Sequence, residues 1–367
     1  MPKKRPPASL APLREKIDQL DAQIVRLLNR RARLAQRIGQ AKHNERAAVY
    51  VPSREHEVMA RLADLNGGPL STRAVQAVYR EIISASRALE QLPRIAYLGP
   101  AASYTHMAAR EQFGAQAECV PVATIPEVFA EVEHEHTDYG VVPIENSTGG
   151  AVDITLDLFV ESALTIIAER SLAIRHCLLS RAQRLGRVER VLAHPQALAQ
   201  CRRWLATHLP GAVVEEASSN SRAAELASRD TRTAAIASRL AGEEYKLRVL
   251  AADIQDQTDN FTRFAILGHA QPSKPTGHDK TALFVSVKDR AGVLYQTLKP
   301  FADNAINMLR IESRPLKGKP WEYVFFIDVE GHRTDPPLAR ALQEIEPLCV
   351  QVRILGSYAT ARPASPA

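Results

Sequence analysis

Between Leu13 and about Ala88 the apolar positions recur with a helical period, and nothing alternates as a strand would. Leu13, Ile17, Leu20, Ile24, Leu27, Leu28, Leu34 and Ile38 fall on one stripe, which is the spacing of a long amphipathic helix. Pro52 and the Gly67-Gly68-Pro69 break then mark off two further helices, near Arg54–Leu65 and Thr72–Leu89, after a loop around Asn44–Pro52. Proline and paired glycines punctuate helical runs in this way. Three helices without a sheet bury little by themselves, so so broad a stripe calls for a partner and the segment is expected to dimerise.

After Leu92-Pro93 the pattern changes. Short β-like runs at Ile95–Leu98, Tyr139–Pro143 and Val188–Ala193 alternate with helical stretches at Tyr104–Phe113 and Gln196–His208, and this α/β texture continues to Leu267. Gly268–Asp279 holds proline and glycine without apolar periodicity and reads as a linker. Beyond it, Thr281–Val287 alternates as a strand and Gly292–Asn304 is helical. Ile306–Arg314 and Tyr323–Glu330 then read as strands, Pro336–Glu346 as a helix and Val350–Leu355 as a last strand. The order βαββαβ is the ferredoxin-like α+β arrangement. The expected organisation is therefore multidomain. A disordered tail occupies 1–10, an all-α three-helix domain 11–92, an α/β domain 94–268, a linker 269–279, an α+β domain 280–358 and a second disordered tail 359–367.

A chain of 367 residues exceeds a single core, and 45% hydrophobic with 24% charged residues is the balance of a folded protein. No apolar run approaches bilayer length and none follows Met1 as a signal peptide would, so a cytoplasmic protein with no membrane partner is expected. Cys119, Cys177, Cys201 and Cys349 are scattered, without metal-ligand spacing. Neither disulfides nor a metal are expected. The formal charge of +6 admits two kinds of partner, nucleic acid or small polyanionic substrates. No helix-turn-helix, zinc finger or RNA-binding aromatic pattern is evident, so nucleic acid is not the expected partner. The alternative of another class is a ligand-responsive regulatory or nucleic-acid-binding protein that uses its Arg-rich helix as a dimerisation module.

Arg31 and Lys42 are eleven residues apart, which returns almost to the same face of a helix. Arg14, seventeen residues before Arg31, lies on a different side and could share their site only from another chain. Ser86 and Glu90 stand at i and i+4. Arg26, Arg30, Arg33 and Arg37 read as solvated surface. The run Leu13-Arg-Glu-Lys-Ile-x-x-Leu-Asp, then Arg30-Arg31, Gly39-x-Ala-Lys42 and Arg54-Glu55, resembles the all-helical type of chorismate mutase. The resemblance implies a homodimer or higher oligomer in which Arg14 of one subunit and Arg31 and Arg54 of the other bind the carboxylates of chorismate. Lys42 and Glu90 would address the ether oxygen, and Glu55 and Ser86 the ring hydroxyl. Rearrangement to prephenate is unimolecular, so held geometry and stabilised negative charge suffice. Well-known members of the type carry Gln where Glu90 stands, and a carboxyl can donate to the ether oxygen only when protonated. Val51 also replaces an Asp found in some relatives.

In the α/β part, Ile95-Ala-Tyr-Leu-Gly-Pro-Ala-Ala-Ser-Tyr-Thr-His106 is a strand, a turn and a helix start with hydroxyls, suited to an anion. It is followed by Val142-Pro-Ile-Glu-Asn-Ser-Thr-Gly-Gly150, His194-Pro-Gln196, Ser218-Ser-Asn-Ser221 and Asp259-Asn-Phe-Thr-Arg-Phe264. This ordered set closely resembles prephenate dehydratase, a carbon-oxygen lyase, and its Asn-Phe-Thr-Arg-Phe element is the most distinctive part. The resemblance implies two α/β lobes with prephenate between them, giving phenylpyruvate, water and carbon dioxide. Thr262 would donate to the departing hydroxyl and Arg263 would be the nearby cation. Ser103, Thr105, Asn146, Ser147, Ser219 and Phe264 would line the site, with His106, His194 and Glu145 as the next acids to test. Ala101-Ala102 departs from the Gly-containing version of that loop.

Arg290-Ala-Gly-Val-Leu294, Ile306-Asn-Met-Leu309 and Glu312-Ser-Arg-Pro315 resemble the ACT domain fused to such dehydratases. The resemblance implies an allosteric site for phenylalanine formed by Ala291, Gly292, Val293, Leu294, Asn307, Met308, Leu309, Glu312, Ser313 and Arg314. Gly292 would allow close backbone approach. Neither reaction calls for a metal or coenzyme, and no cofactor is expected.

Overall fold

The structure, a computed structural model, describes residues 10–45, 50–271, 273–288, 290–316 and 323–361. Of the tails expected at 1–10 and 359–367, residues 1–9 and 362–367 lie outside the described residues, as does part of the loop before Pro52. Leu10 already begins the first helix and Ala359 ends the last strand.

The helical part consists of α1 (Leu10–Glu45), α2 (Pro52–Leu65) and α3 (Thr72–Ala88). Pro52 stands in the first turn of α2, where its missing N–H costs nothing. Ser71 caps α3 by accepting from the Ala74 amide at 3.2 Å. The predicted stripe of α1 is uncovered within one chain, from Leu28 at 36% exposed to Leu27 at 63%. A helix with such a face is not stabilised by its own domain alone.

Two lobes follow. The first contains β1 (Arg94–Leu98), α4 (Tyr104–Phe113), β2 (Glu118–Val122), α5 (Ile125–Glu133), β3 (Tyr139–Asn146), β4 (Gly150–Ala151), α6 (Asp153–Glu161) and β5 (Thr165–Ala173). The chain then crosses into a second lobe of β6 (Cys177–Ser180), β7 (Arg190–Ala193), α7 (Pro195–Gln200), α8 (Arg202–His208), β8 (Val213–Glu216), α9 (Asn220–Ala227), β9 (Thr233–Ala237), α10 (Arg239–Glu244) and β10 (Arg248–Ala251). It returns to the first lobe as β11 (Phe261–Gly268). The first sheet has the order β2-β1-β3-β11-β5, with β4 on β3, and the second β10-β6-β9-β7-β8. The returning strand β11 runs antiparallel to both β3 and β5. It thereby places the Asn-Phe-Thr-Arg-Phe element beside Asn146 at the mouth between the lobes.

Gln196–His208 is two helices and not one. The Asp256 carboxylate accepts the amides of Arg203 at 2.9 Å and Trp204 at 3.2 Å, and so starts a new helix at Arg202.

The last domain is β12 (Asp279–Val287), α11 (Val293–Asp303), β13 (Met308–Pro315), β14 (Tyr323–Glu330), α12 (Pro336–Ile345) and β15 (Gln351–Ala359), with antiparallel order β13-β14-β12-β15. The expectation that β12 alternates is not met, since every residue of it is buried. Leu283 and Val285 face a core with Phe301, Leu338 and Ile345. Ala282 and Phe284 face the first lobe, sharing a core with Phe129, Phe159, Ile166 and Ala265. A sheet covered on both faces loses its amphipathic signature. Contact with the lobe is close enough that a Cβ on Gly356 would sit 2.0 Å from the Ile166 carbonyl oxygen.

The helical domain is docked as well. Tyr50 is 1% exposed and packs its ring 5.0 Å from Phe113 and 5.3 Å from Tyr139 of the first lobe. The Arg87 guanidinium lies 4.8 Å from the centre of the Tyr50 ring.

Candidate active sites

On the face shared by α1 and α3, Arg31 Nη1 donates to Ser86 Oγ at 2.6 Å, and Ser86 in turn donates to the Ile82 carbonyl oxygen at 2.7 Å. Glu90, just past the end of α3, packs against Gly39, where a Cβ would come within 2.6 Å of its Cγ. One carboxyl oxygen of Glu90 is buried without a partner. Burial raises its pKa, while the charges of Lys42 and Arg87 pull the other way without overcoming it. Arg31, Lys42, Ser86 and Glu90 thus form one cluster of cations, a hydroxyl and a carboxyl whose pKa burial raises.

Three expected partners are placed elsewhere. Arg14 lies seventeen residues before Arg31 on the same straight helix, roughly 25 Å along its axis, so it cannot reach this cluster within one chain. Arg54 turns outward to Glu57 at 2.7 Å, an i,i+3 surface pair. Glu55 is drawn to Arg87, a buried guanidinium that also donates to the Phe113 carbonyl oxygen at 3.4 Å. In this arrangement Arg54 and Glu55 serve the surface and the domain contact, correcting the expectation that Arg54 holds a carboxylate of chorismate and Glu55 its ring hydroxyl.

Between the two lobes lies a cleft of about 680 Å³ whose lining includes Ser103, Thr105, Asn146, Ser219, Thr262 and Phe264. Ser103 caps α4 through the His106 amide at 3.2 Å, and Ser219 caps α9 through the Arg222 amide at 3.0 Å. Two helix N-termini therefore open on the cleft, favourable places for carboxylates. Asn146 Nδ2 donates to Thr262 Oγ1 at 2.8 Å. The orientation of that amide is settled by its oxygen, which accepts from Thr148 Oγ1 at 2.6 Å and from the amides of Thr148 and Gly149, both at 3.0 Å. Asn146 occupies a lone pair of Thr262, and among the described residues no protein acceptor takes the threonine proton.

Arg263 is not in the cleft. Thr262 and Phe264 face it, so the residue between them projects to the opposite side of the strand. There its guanidinium meets Glu145 at 2.6 Å, Glu169 at 2.9 Å and Asp328 at 2.7 Å. Lys280 joins Glu169 at 2.5 Å and Asp328 at 3.4 Å, and Arg310 approaches Glu145 at 3.7 Å. Burial opposes the charge of Arg263, but Glu169 and Asp328 outweigh it and raise its pKa. The expected substrate cation is thus the centre of a buried ion cluster that fastens the C-terminal sheet to β3, β5 and β11. Ser147 is also structural, donating to the Asp259 carbonyl oxygen at 3.1 Å and accepting from the Phe261 amide at 2.9 Å.

Of the reserve acids, Glu145 is bound to Arg263. His106 accepts from the Ala102 amide at 3.0 Å and stacks on Tyr97, its pKa lowered by burial. His194 does line the cleft, where it caps Gln196 at 3.3 Å. Sequence reasoning missed His176, Gln200, Asn260 and Arg222, all in the lining. Buried His176 bonds Gln200 at 2.8 Å and Tyr104 at 3.1 Å, so it ties the lobes together at their crossover. Gln200 and Arg222 belong to the helices that follow the quoted His-Pro-Gln and Ser-Ser-Asn-Ser motifs. Their spacing could have suggested them, whereas nothing marked His176.

In the C-terminal domain Gly292 takes φ 78°, a conformation that favours glycine, and begins α11 without a side-chain cap. Ala291 precedes it, and Val293 and Leu294 form the first turn. Asn307 holds the Glu330 amide through its carbonyl oxygen at 2.9 Å. Strand β13 is an edge on which Leu309 and Ser313 are exposed, while Met308, Glu312 and Arg314 alternate to the other side. The Arg314 guanidinium is engaged by Asp153 at 2.6 Å and Asp157 at 3.1 Å of α6. The ten residues expected to hold one ligand therefore do not converge on it within a single chain.

Three family models match the chain in order: chorismate mutase type II over residues 13–91, prephenate dehydratase over 95–272 and the ACT domain over 281–347. A bifunctional chorismate mutase/prephenate dehydratase of Aquifex aeolicus is 46% identical over 353 residues, covering 95% of this chain and 97% of that one. Among solved structures, a prephenate dehydratase from Arthrobacter aurescens in complex with L-Phe is 36% identical with a TM-score of 0.68, covering 75% of this chain and 93% of its own. A protein described as a novel type of quorum quenching acylase is 32% identical with a TM-score of 0.67, covering 74% and 98%.

Proposed function

The chain belongs to the family of bifunctional chorismate mutase/prephenate dehydratases with a C-terminal ACT domain, and from that premise we propose how its own residues carry the two reactions and their control. The enzyme rearranges chorismate to prephenate and converts prephenate to phenylpyruvate. In the helical domain, Arg31 holds a carboxylate while Lys42 and protonated Glu90 stabilise the ether oxygen as its bond to carbon breaks. Ser86, fixed by Arg31, meets the ring hydroxyl. Arg14 of a second copy completes the site when the uncovered stripes of two α1 helices pack together, so the working form is a homodimer. Arg54 and Glu55 contribute only if substrate draws them from their present partners.

In the cleft, the first turns of α4 and α9, with Arg222 beside them, receive the carboxylates of prephenate. The Thr262 hydroxyl donates to the ring hydroxyl as its bond to carbon breaks. Electrons from the bond to the departing carboxylate flow into the ring, releasing carbon dioxide and water and leaving phenylpyruvate. Aromatisation drives the step, and the proton consumed comes from solvent after turnover. The observation that carries this reading is the Asn146–Thr262 bond, which orients the donor.

The test is incubation of the full chain with chorismate, following prephenate and phenylpyruvate separately. Thr262→Ala should accumulate prephenate with mutase turnover intact, and lose roughly 10²–10³ in dehydratase kcat. Full dehydratase turnover in a folded Thr262→Ala protein would refute the assignment. Control follows from the ACT domain, for which phenylalanine is the proposed inhibitor, binding at the α11 turn and the β13 edge of two chains. The protein is proposed to work in the cytoplasm. No observation favours an acylase, since the cleft threonine is bonded to an amide and not to a base. None favours a nucleic-acid reader either.

A further inference from the structure

A cavity that neither reaction uses lies where the three domains meet. It measures about 510 Å³ and is bounded by α2 and α3, by β5 and by the end of β15. Two guanidinium groups line it, Arg80 from α3 and Arg170 from β5. Arg170 Nη2 donates to the Glu111 carbonyl oxygen at 3.1 Å, and its Nε is buried without a partner. Among the described residues neither arginine forms an ion pair. The carboxylates bordering the cavity are committed elsewhere, Glu55 to Arg87 and Glu169 to Lys280 at 2.5 Å and Arg263 at 2.9 Å. Burial and then the charge of Arg80 push the pKa of Arg170 down, and the opposing pull of Glu111, Tyr50 and Glu55 does not overcome them.

A guanidinium withdrawn from water is ordinarily paired, because an uncompensated buried charge is costly. Here Arg170 is in that position with the partly exposed Arg80 beside it, and among the described residues neither has a carboxylate at ion-pair distance, Glu55 and Glu111 acting on Arg170 only from farther off. The remaining wall includes the apolar surfaces of Met59, Ala168 and Tyr358. The volume is within the range of small-molecule sites. We propose that this junction is a binding site for a small carboxylate bearing an apolar ring, its carboxylate held by Arg80 and Arg170 and its ring against Met59, Ala168 and Tyr358. A bare inorganic anion would satisfy the cations and leave the apolar wall wet. Because all three domains contribute, an occupied site ties the helical domain and the ACT domain to the first lobe.

The probe is benzoate, with inorganic phosphate for comparison, added to the full-length protein while its thermal unfolding is followed. At a hundredfold excess over its dissociation constant, benzoate should raise Tm by roughly 3–5 °C. The rise should disappear in Arg80→Met and in Arg170→Met. Without ligand, Arg170→Met should melt at or above the wild-type temperature, because it removes an unpaired buried charge and keeps an apolar stem. Four results would overturn the proposal. These are no benzoate shift in the wild type, an undiminished shift in either variant, phosphate protecting as well as benzoate, or a ligand-free Arg170→Met protein that melts well below the wild type.

Discussion

Asp328→Asn tests the ion cluster behind β11. Arg263, Lys280 and Arg310 face Glu145, Glu169 and Asp328, with the more exposed Glu312 3.9 Å from Arg310 at the rim, so the formal charges inside the cluster balance, and the side chains of Lys280, Glu169 and Asp328 are only 4 to 6% exposed. The substitution keeps shape and leaves one buried positive charge in excess. Breaking a buried pair costs about 3–5 kcal/mol. The asparagine can still accept from Arg263, where the present distance is 2.7 Å, which places the loss near about 3 kcal/mol. Since the ACT sheet shares a core with the first lobe, the two should melt together, and Tm should fall by roughly 5–6 °C. Adding Lys280→Met restores neutrality and should recover more than half of that fall.

The pH dependence supplies a second handle on the same prediction. Burial raises the pKa of Asp328, but Lys280 and Arg263 together more than reverse it, so the net shift is downward. A depressed carboxylate contributes stability that is present above its unfolded pKa and lost as pH falls through its folded one. The difference between wild type and variant should therefore be constant from about pH 5 to 8 and shrink below about pH 4. Calorimetry of the full chain at several pH values measures both effects. A single variant melting within a degree of wild type at pH 7, or a double variant no better than the single one, would refute the reasoning.

Two further predictions concern the mutase. Burial raises the pKa of Glu90, and only the protonated carboxyl can donate, so mutase kcat/KM should fall as pH rises through that value. Glu90→Gln donates at every pH and should flatten the profile; the same decline in the variant would remove Glu90 from the role. Arg14→Ala and Arg31→Ala should each be inactive, yet coexpressed they should recover about a quarter of wild-type mutase activity, since half the random dimers are mixed and each has one intact site. No recovery would place Arg14 outside the site.

What was legible in the sequence was whatever repeats locally. The α1 stripe and the eleven-residue interval between Arg31 and Lys42 follow from helical geometry, and the structure indeed sets Lys42 near Glu90 and Arg31 on Ser86. Contacts between distant segments left no such trace. Asp256 splits one predicted helix from about 50 residues away, Tyr50 docks the helical domain through a core it shares with Phe113 and Tyr139, and His176 joins the lobes through Gln200. Each depends on which surfaces meet after folding, and no periodicity encodes that.

Arg263 is the more instructive miss, because the means to avoid it were local. A strand places neighbouring residues on opposite faces. Once Thr262 is taken as the donor in the cleft, Arg263 must point away from it, whatever the element Asn-Phe-Thr-Arg-Phe suggests as a unit. The same alternation puts Glu145 behind β3 while Asn146, its neighbour, holds Thr262 in front, and the pairing of Arg263 with Glu145 lies directly across from that of Thr262 with Asn146. The two strands thus carry the proposed proton donor on one face and the ion cluster that meets the ACT sheet on the other. On the proposed assignment, a displacement of the ACT sheet that moves Asp328 or Lys280 would act on the strand that carries Thr262, a route for control that does not enter the cleft.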